Sequence, residues 1–253
     1  MNVLRFRTGA SMIVFVVLAL SLTFSTEVRG AEAQAVDPAA TEILKRMSDY
    51  LGSLKQFSVH TQNTVEDLLD SGHRIDLDVS ASVTLSRPNK LRSERKGDLV
   101  DQVFSYDGKT LTLYNPSNNV YASEPAPQRF EEMFIYLYET LGFGLPISDL
   151  VYSDSFTLLM QDVDFAAVVG KSYINGVKCD HLLFSRPGVD FQVWVTEGSK
   201  PLPLKYVVTD TAMPGSMSVV TIMSDWNVAP AVKDAQFTFV PPKGAQKINF
   251  MPF

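Results

Sequence analysis

A single cysteine, Cys179, stands in 253 residues. It excludes an internal disulfide, so stability must come from the core and the backbone ladders. Histidine is nearly as scarce, with only His60, His73 and His181. The chain has no H-E-x-x-H, no G-x-S-x-G and no phosphate-binding glycine loop, which removes the usual signatures of zinc proteases, α/β-hydrolases and P-loop proteins. Basic side chains are outnumbered, with 22 Lys and Arg against 28 Asp and Glu for a net charge of −6. That balance argues against nucleic acid and gives no general attraction to an anionic membrane surface. Internal repeats and low-complexity linkers are absent as well.

The one long apolar run comes first. Arg5 and Arg7 precede an uncharged, mostly apolar stretch from Thr8 to Thr26, and Ala31-Glu32-Ala33 and Ala33-Gln34-Ala35 follow. This is the pattern of a secretory signal peptide, residues 1–33, removed on export. The competing reading is an uncleaved anchor, since the run is nearly long enough to span a bilayer. No cysteine lies near the cleavage region to accept a lipid. Cleavage leaves 34–253 as a single domain with no membrane span. Loss of Arg5, Arg7, Arg29, Glu27 and Glu32 takes the charge one unit further, to −7.

What remains is mostly alternating sequence. Asp37-Pro38 is an N-cap followed by proline at the first helical position, and Ile43, Met47, Tyr50, Leu51 and Leu54 recur at helical spacing, which predicts a helix over 38–54. In "RIDLDVSASVTLSRP", Ile75, Leu77, Val79, Ala81, Val83 and Leu85 share one face and polar residues the other. At about 3.3 Å per residue this strand is roughly 40 Å long, which suits a strongly curved sheet. "VFSYDGKTLTLYNPSNNVYA" reads as three strands, with Asp107-Gly108 as a tight hairpin turn. A two-residue loop there sets Phe104 opposite Leu111 and Ser105 opposite Thr110. Phe104, Leu111 and Leu113 then form a dry face. "PQRFEEMFIYLYETLGFG" turns helical, with Phe130, Met133, Phe134, Leu137 and Leu141 on one side, and "SFTLLMQD" adds a second apolar helical piece. Five strands follow between 163 and 226, and "FTFV" before Pro241-Pro242 reads as a last short strand. The fold class is mainly β (α+β). It is an unclosed antiparallel barrel of about ten or eleven strands, with an N-terminal helix and a helical insert across its concave side.

One cluster suggests chemistry. Cys179 and His181 are two apart on a strand and project from the same face. They could form a nucleophile with its base or half of a metal site. Further ligands are missing from the sequence near by, and a buried thiol beside a hydrogen-bonded histidine is the favoured reading. No enzyme, metal or cofactor is expected.

"SRPNKLRSERKGDLVDQVFSYDGKTLTLYNP" and "FTFVPPKGAQKI" resemble the outer-membrane lipoprotein carriers of the LolA/LolB type. The whole chain is more similar still to a periplasmic family of uncharacterised proteins with that fold. The resemblance implies a half-barrel with a helical lid over a hydrophobic cavity, located in the periplasm. Its ligand would be a lipid or acyl chain, bound by a monomer that also meets envelope proteins. An interaction or sensing module for lipidated or misfolded envelope proteins is the alternative, and a Cys179/His181 enzyme comes third. The expected ligand-binding residues are Arg87, Phe104, Leu111, Leu113, Phe130, Met133, Phe134, Leu137 and Leu141. Arg87 follows the apolar stripe of 75–85 at its rim, where a guanidinium must snorkel or find acceptors. In the carriers an arginine before the same Pro-Asn bonds the lid and takes part in its opening and closing. Backbone carbonyls of the insert, or Glu131, Glu132, Glu139 and Asp149, are the expected partners of Arg87.

Overall fold

The computed structural model describes residues 35–250 apart from 99, 143, 146 and 214. The signal peptide expected at 1–33 lies outside the described residues. Helix α1, Pro38–Ser53, begins as the sequence dictates: the Asp37 side chain accepts from the Ala39 amide at 2.8 Å, and proline occupies the first turn. Its Ala40, Leu44, Met47 and Leu51 are buried.

Two long strands follow, β1 (Gln56–Leu68) and β2 (Arg74–Ser86), paired along their full length. Alternation places Val79, Ala81, Val83 and Leu85 inside, with Ile75 and Leu77 half-buried at the outer end. The chain then meanders through β3 (Lys90–Gly97), β4 (Val100–Tyr106), β5 (Thr110–Asn115) and β6 (Val120–Pro125). The insert comprises α2 (Phe130–Leu141), α3 (Ser148–Val151) and α4 (Ser155–Met160). A second meander, β7 (Phe165–Ile174), β8 (Val177–Arg186), β9 (Val189–Thr196), β10 (Pro203–Asp210) and β11 (Ser218–Asn227), returns to pair with β1. A short β12, Gln246–Ile248, completes the described strands.

The sheet order is β12-β6-β5-β4-β3-β2-β1-β11-β10-β9-β8-β7. The first strand thus lies at the centre and joins the two meanders. The edges β12 and β7 do not meet, so the barrel is unclosed. Among the described residues every pairing of strands is antiparallel except that of β12 with β6, and an isolated parallel bridge joins Val36 to Ala166 of β7. α1, α3 and α4 pack on one another, and α1 also lies against β7, β8 and β9.

Three expectations are corrected. The strands number twelve among the described residues, not ten or eleven. "FTFV" is not a strand: Phe237 is buried as an anchor, and Phe239 packs against Tyr114 and Tyr121 at 5.4 and 5.1 Å. The last pairing instead falls beyond Pro241-Pro242, in β12, and it is parallel. The β4–β5 hairpin is also wider than two residues. Tyr106 pairs with Leu111 and Phe104 with Leu113. The Asp107 carboxylate accepts from the Lys109 and Thr110 amides, and Gly108 takes φ 91°. These bonds draw Lys109 and Thr110 into the turn. The register moves by two residues, so every side chain keeps its expected face.

Candidate functional site: the apolar face beneath the insert

Strand pairing lines up a dry row across six strands: Val59, Val83, Ser93, Phe104, Leu113 and Ala122. A parallel row runs Phe57, Leu85, Leu91, Tyr106 and Leu111. α2 lies over this face with Phe130, Met133, Phe134 and Leu137 buried and Leu141 partly so. Phe130 meets Tyr106 at 6.0 Å and stacks on Phe134 at 5.9 Å, and Phe134 continues to Tyr152 at 5.6 Å. Tyr106 donates its hydroxyl to the Pro127 carbonyl at the entry to α2. Burial pushes its phenol up to about 12, with Asp107 and Glu132 adding to the shift, so it remains a donor at any physiological pH.

The structure therefore gathers all the expected apolar site residues at one contact between sheet and insert. Between them a gap of about 70 Å³ remains, lined by Phe104, Leu111, Leu113, Leu137, Leu141 and Phe250. An open cleft of about 490 Å³ lies on the other side of α2, lined by Phe134, Leu137, Tyr152, Val208, Asp149 and Arg186, among others. Phe250 and Arg186 are missed by the sequence reading. Phe250 carries no local signal. Arg186 does carry one: Leu182 and Phe184 are buried on the concave face, Arg186 is next on it, and Pro187 follows. Ser185-Arg186-Pro187 repeats Ser86-Arg87-Pro88 at the end of a second dry stripe.

Arg87 is at the rim and reaches the insert. Its Nη2 donates to the Val151 carbonyl at 2.9 Å and its Nη1 to Ser153 Oγ at 3.3 Å. Val151 ends α3, where helix carbonyls have no partner within the helix. The expected carboxylate partners are corrected accordingly. Glu131 acts through Ser153, whose amide donates to Glu131 Oε1 at 3.4 Å, and Arg87 makes no ion pair with Glu132, Glu139 or Asp149 among the described bonds. Burial lowers the Arg87 pKa, and the charge of Glu131 opposes that shift.

Asp149 lies on α3 against Tyr206, whose hydroxyl donates to Oδ2 at 3.4 Å. Desolvation raises the Asp149 pKa, more than the bonds from Tyr206 and Ser148 and the charge of Arg186 lower it. A carboxyl whose pKa is higher folded than unfolded contributes stability below its unfolded pKa. That contribution disappears as pH rises through the folded value. Asp149→Asn is expected to raise the unfolding midpoint at pH 7 and to match the parent at a pH below the ordinary aspartate range. Thermal melts at the two pH values check this, and an equal shift at both would contradict the assignment.

Cys179 is buried on the convex side of β8 with Trp194 and Val207, and burial raises its thiol pKa. Its Sγ reaches the Val177 carbonyl at 3.5 Å. His181 stacks on Trp194 at 4.0 Å, with Nε2 2.9 Å from Gln192 Oε1. A thiol with a raised pKa is a poor nucleophile. Among the described residues no group of three or more His, Cys, Asp or Glu could hold a metal. Cys179→Ser is expected to cost about 1–2 kcal/mol, the usual range for a polar atom placed in an apolar pocket, with ligand binding intact. Denaturant melts together with a binding titration measure both.

The family described as "Predicted periplasmic protein (DUF2092)" matches residues 40–251. No curated protein matches the sequence. Among solved structures, an uncharacterised conserved protein of Thermus thermophilus is 15% identical with a TM-score of 0.50, covering 83% of this chain and 99% of that one. LprF of Mycobacterium bovis is 16% identical over 83% and 99%, with a TM-score of 0.48. A LolA superfamily protein of Nitrosomonas europaea is 12% identical over 79% and 97%, with a TM-score of 0.40. Similarity at this identity concerns the fold alone.

Proposed function

From the premise that the chain belongs to the DUF2092 family of predicted periplasmic proteins, we propose that it binds and carries an apolar chain of a lipid in the periplasm. The observation that carries this reading is the insert itself. It lies over an apolar sheet face, leaves a gap against it, and is held at the rim by the side chain of Arg87. An insert built only to complete a core would not need an open, apolar-walled cleft beside it. The resemblance to the LolA/LolB carriers supports the same reading, with Arg87 as the latch and Phe104, Leu111, Leu113, Phe130, Met133, Phe134, Leu137 and Leu141 as the surfaces that part to admit the chain. Catalysis has no place in it, and the buried Cys179 thiol supports that view. No helix among the described residues is long and apolar enough to cross a membrane.

The test is gentle purification of the secreted protein, organic extraction and mass spectrometry. A stoichiometric lipid is the expected result. Empty protein that also fails to take up a fluorescent fatty acid would reject the reading. The second reading, docking of an envelope protein, is favoured by Ile135 and Tyr138, which are 49% and 74% exposed on the outer side of α2. It predicts little extracted lipid and a captured protein whose binding is lost in Tyr138→Ala.

A further inference from the structure

The open cleft beside α2 is not uniformly apolar. Phe134, Leu137, Leu145, Tyr152 and Val208 make its walls, and Arg186 is the one basic residue among the described residues that line it. A guanidinium carries five N–H donors. Arg186 uses one in a described bond, a long contact of 3.5 Å from Nη1 to the Gln161 carbonyl, and it forms no described ion pair. Arg87, its counterpart after the first dry stripe, is committed to the insert instead. Two acids also line the cleft. Glu139 is exposed on the last turn of α2, where solvent screens it. Asp149 accepts from the Tyr206 hydroxyl at 3.4 Å, and desolvation disfavours its charged form, which lessens its repulsion of an anion.

We propose that this cleft holds a single-chain amphiphile with an anionic head, the head on the Arg186 guanidinium and the chain along Phe134, Leu137 and Val208. The inference rests on the carrier reading and adds the chemical class of its ligand. The guanidinium fork matches carboxylate or phosphate oxygens two at a time. The apolar walls give a bare inorganic anion nothing, so the ligand must pair an anion with a chain. A volume of about 490 Å³ falls within the range of roughly 300–1,000 Å³ of pockets that hold one small ligand. Two sources share this chemistry: a free fatty carboxylate and the phosphate of a lysophospholipid.

Displacement of a fluorescent fatty acid from the purified secreted protein tests this with three competitors of one chain length. They are tetradecanoate, myristoyl lysophosphatidylglycerol and tetradecan-1-ol. At least one of the two anions is expected to compete about tenfold or more better than the alcohol, since hydrogen bonds to a charged group reach that factor. Whichever anion leads identifies the source. In Arg186→Leu the ratio of anion to alcohol falls to near one, and Arg186→Lys keeps part of it. Arg186→Gln, neutral and similar in length, replaces the leucine variant if the latter melts early. An alcohol that competes as well as both anions in the parent, or a ratio that survives in Arg186→Leu, overturns the head-group site while leaving the carrier reading standing. Competition by none of the three, with no displacement of the probe, overturns both.

Discussion

Arg87→Leu is expected to free the insert and to speed exchange of a bound fluorescent fatty acid by tenfold or more, with the sheet intact. The leucine matches the apolar stripe that runs from Ile75 to Leu85, so nothing polar is left buried on the strand side. What disappears is a pair of donations to Val151 O and Ser153 Oγ. Hydrogen bonds from a charged donor contribute roughly 1.5–3 kcal/mol. A bias of that size shifts a two-state lid by about tenfold to a hundredfold. Strand β2 keeps its ladder to β1, and the Arg87 amide keeps the Lys55 carbonyl at 2.8 Å. Far-UV circular dichroism should therefore be unchanged. Arg87→Lys is the control: a lysine places one ammonium where a fork held two acceptors, and it should recover part of the slow exchange. Exchange as slow in Arg87→Leu as in the parent would remove Arg87 from any gating role, whatever the cavity holds.

The rim position of Arg87 was legible because strict alternation makes a stripe visible, and a charge at the end of a stripe is conspicuous. The same logic would have reached Arg186, but its stripe is short. Only Leu182 and Phe184 precede it on the concave side, and Asp180, although buried, breaks the apolar run before them. Faces were more legible than registers. The β4–β5 hairpin slipped by two residues because the Asp107 carboxylate caps two amides, a local choice among turns that Asp-Gly alone does not decide. The faces survived because a strand has a period of two. "FTFV" misled for the opposite reason. It alternates like a strand, yet both its rings are anchors for the tail that wraps β5 and β6, and alternation cannot tell an anchored loop from a ladder. Of the two kinds of partner expected for Arg87, backbone carbonyls and carboxylates, the structure takes the first, the free carbonyl that ends a short helix, and no sequence pattern marks which carbonyl that is.

The second large effect separates lid from core. Leu137 on α2 and Phe184 on β8 are both almost fully buried. Phe184 stacks on Phe191 at 4.8 Å within the second meander, a region held by strand pairing on both sides. Phe184→Ala should cost about 3–5 kcal/mol. At about 2–4 °C per kcal/mol for a domain of this size, its unfolding midpoint should fall on the order of 10 °C. Leu137→Ala removes comparable packing, roughly 2–5 kcal/mol, and enlarges a gap that already exists between α2 and the sheet. α2, however, is tied to the rest by side chains rather than by a ladder. If it opens as its own unit, the loss appears in that local equilibrium and not in the global one. Amide exchange across 130–160 should then accelerate more than tenfold, while β1, β2 and β8 to β11 stay protected and the midpoint moves by only a few degrees, about one increment of that scale. Faster uptake of fatty acid by Leu137→Ala, and no such gain in Phe184→Ala, would accompany it. Uniform acceleration through the strands in Leu137→Ala would mean that the insert is core, and that the apolar face beneath it never opens.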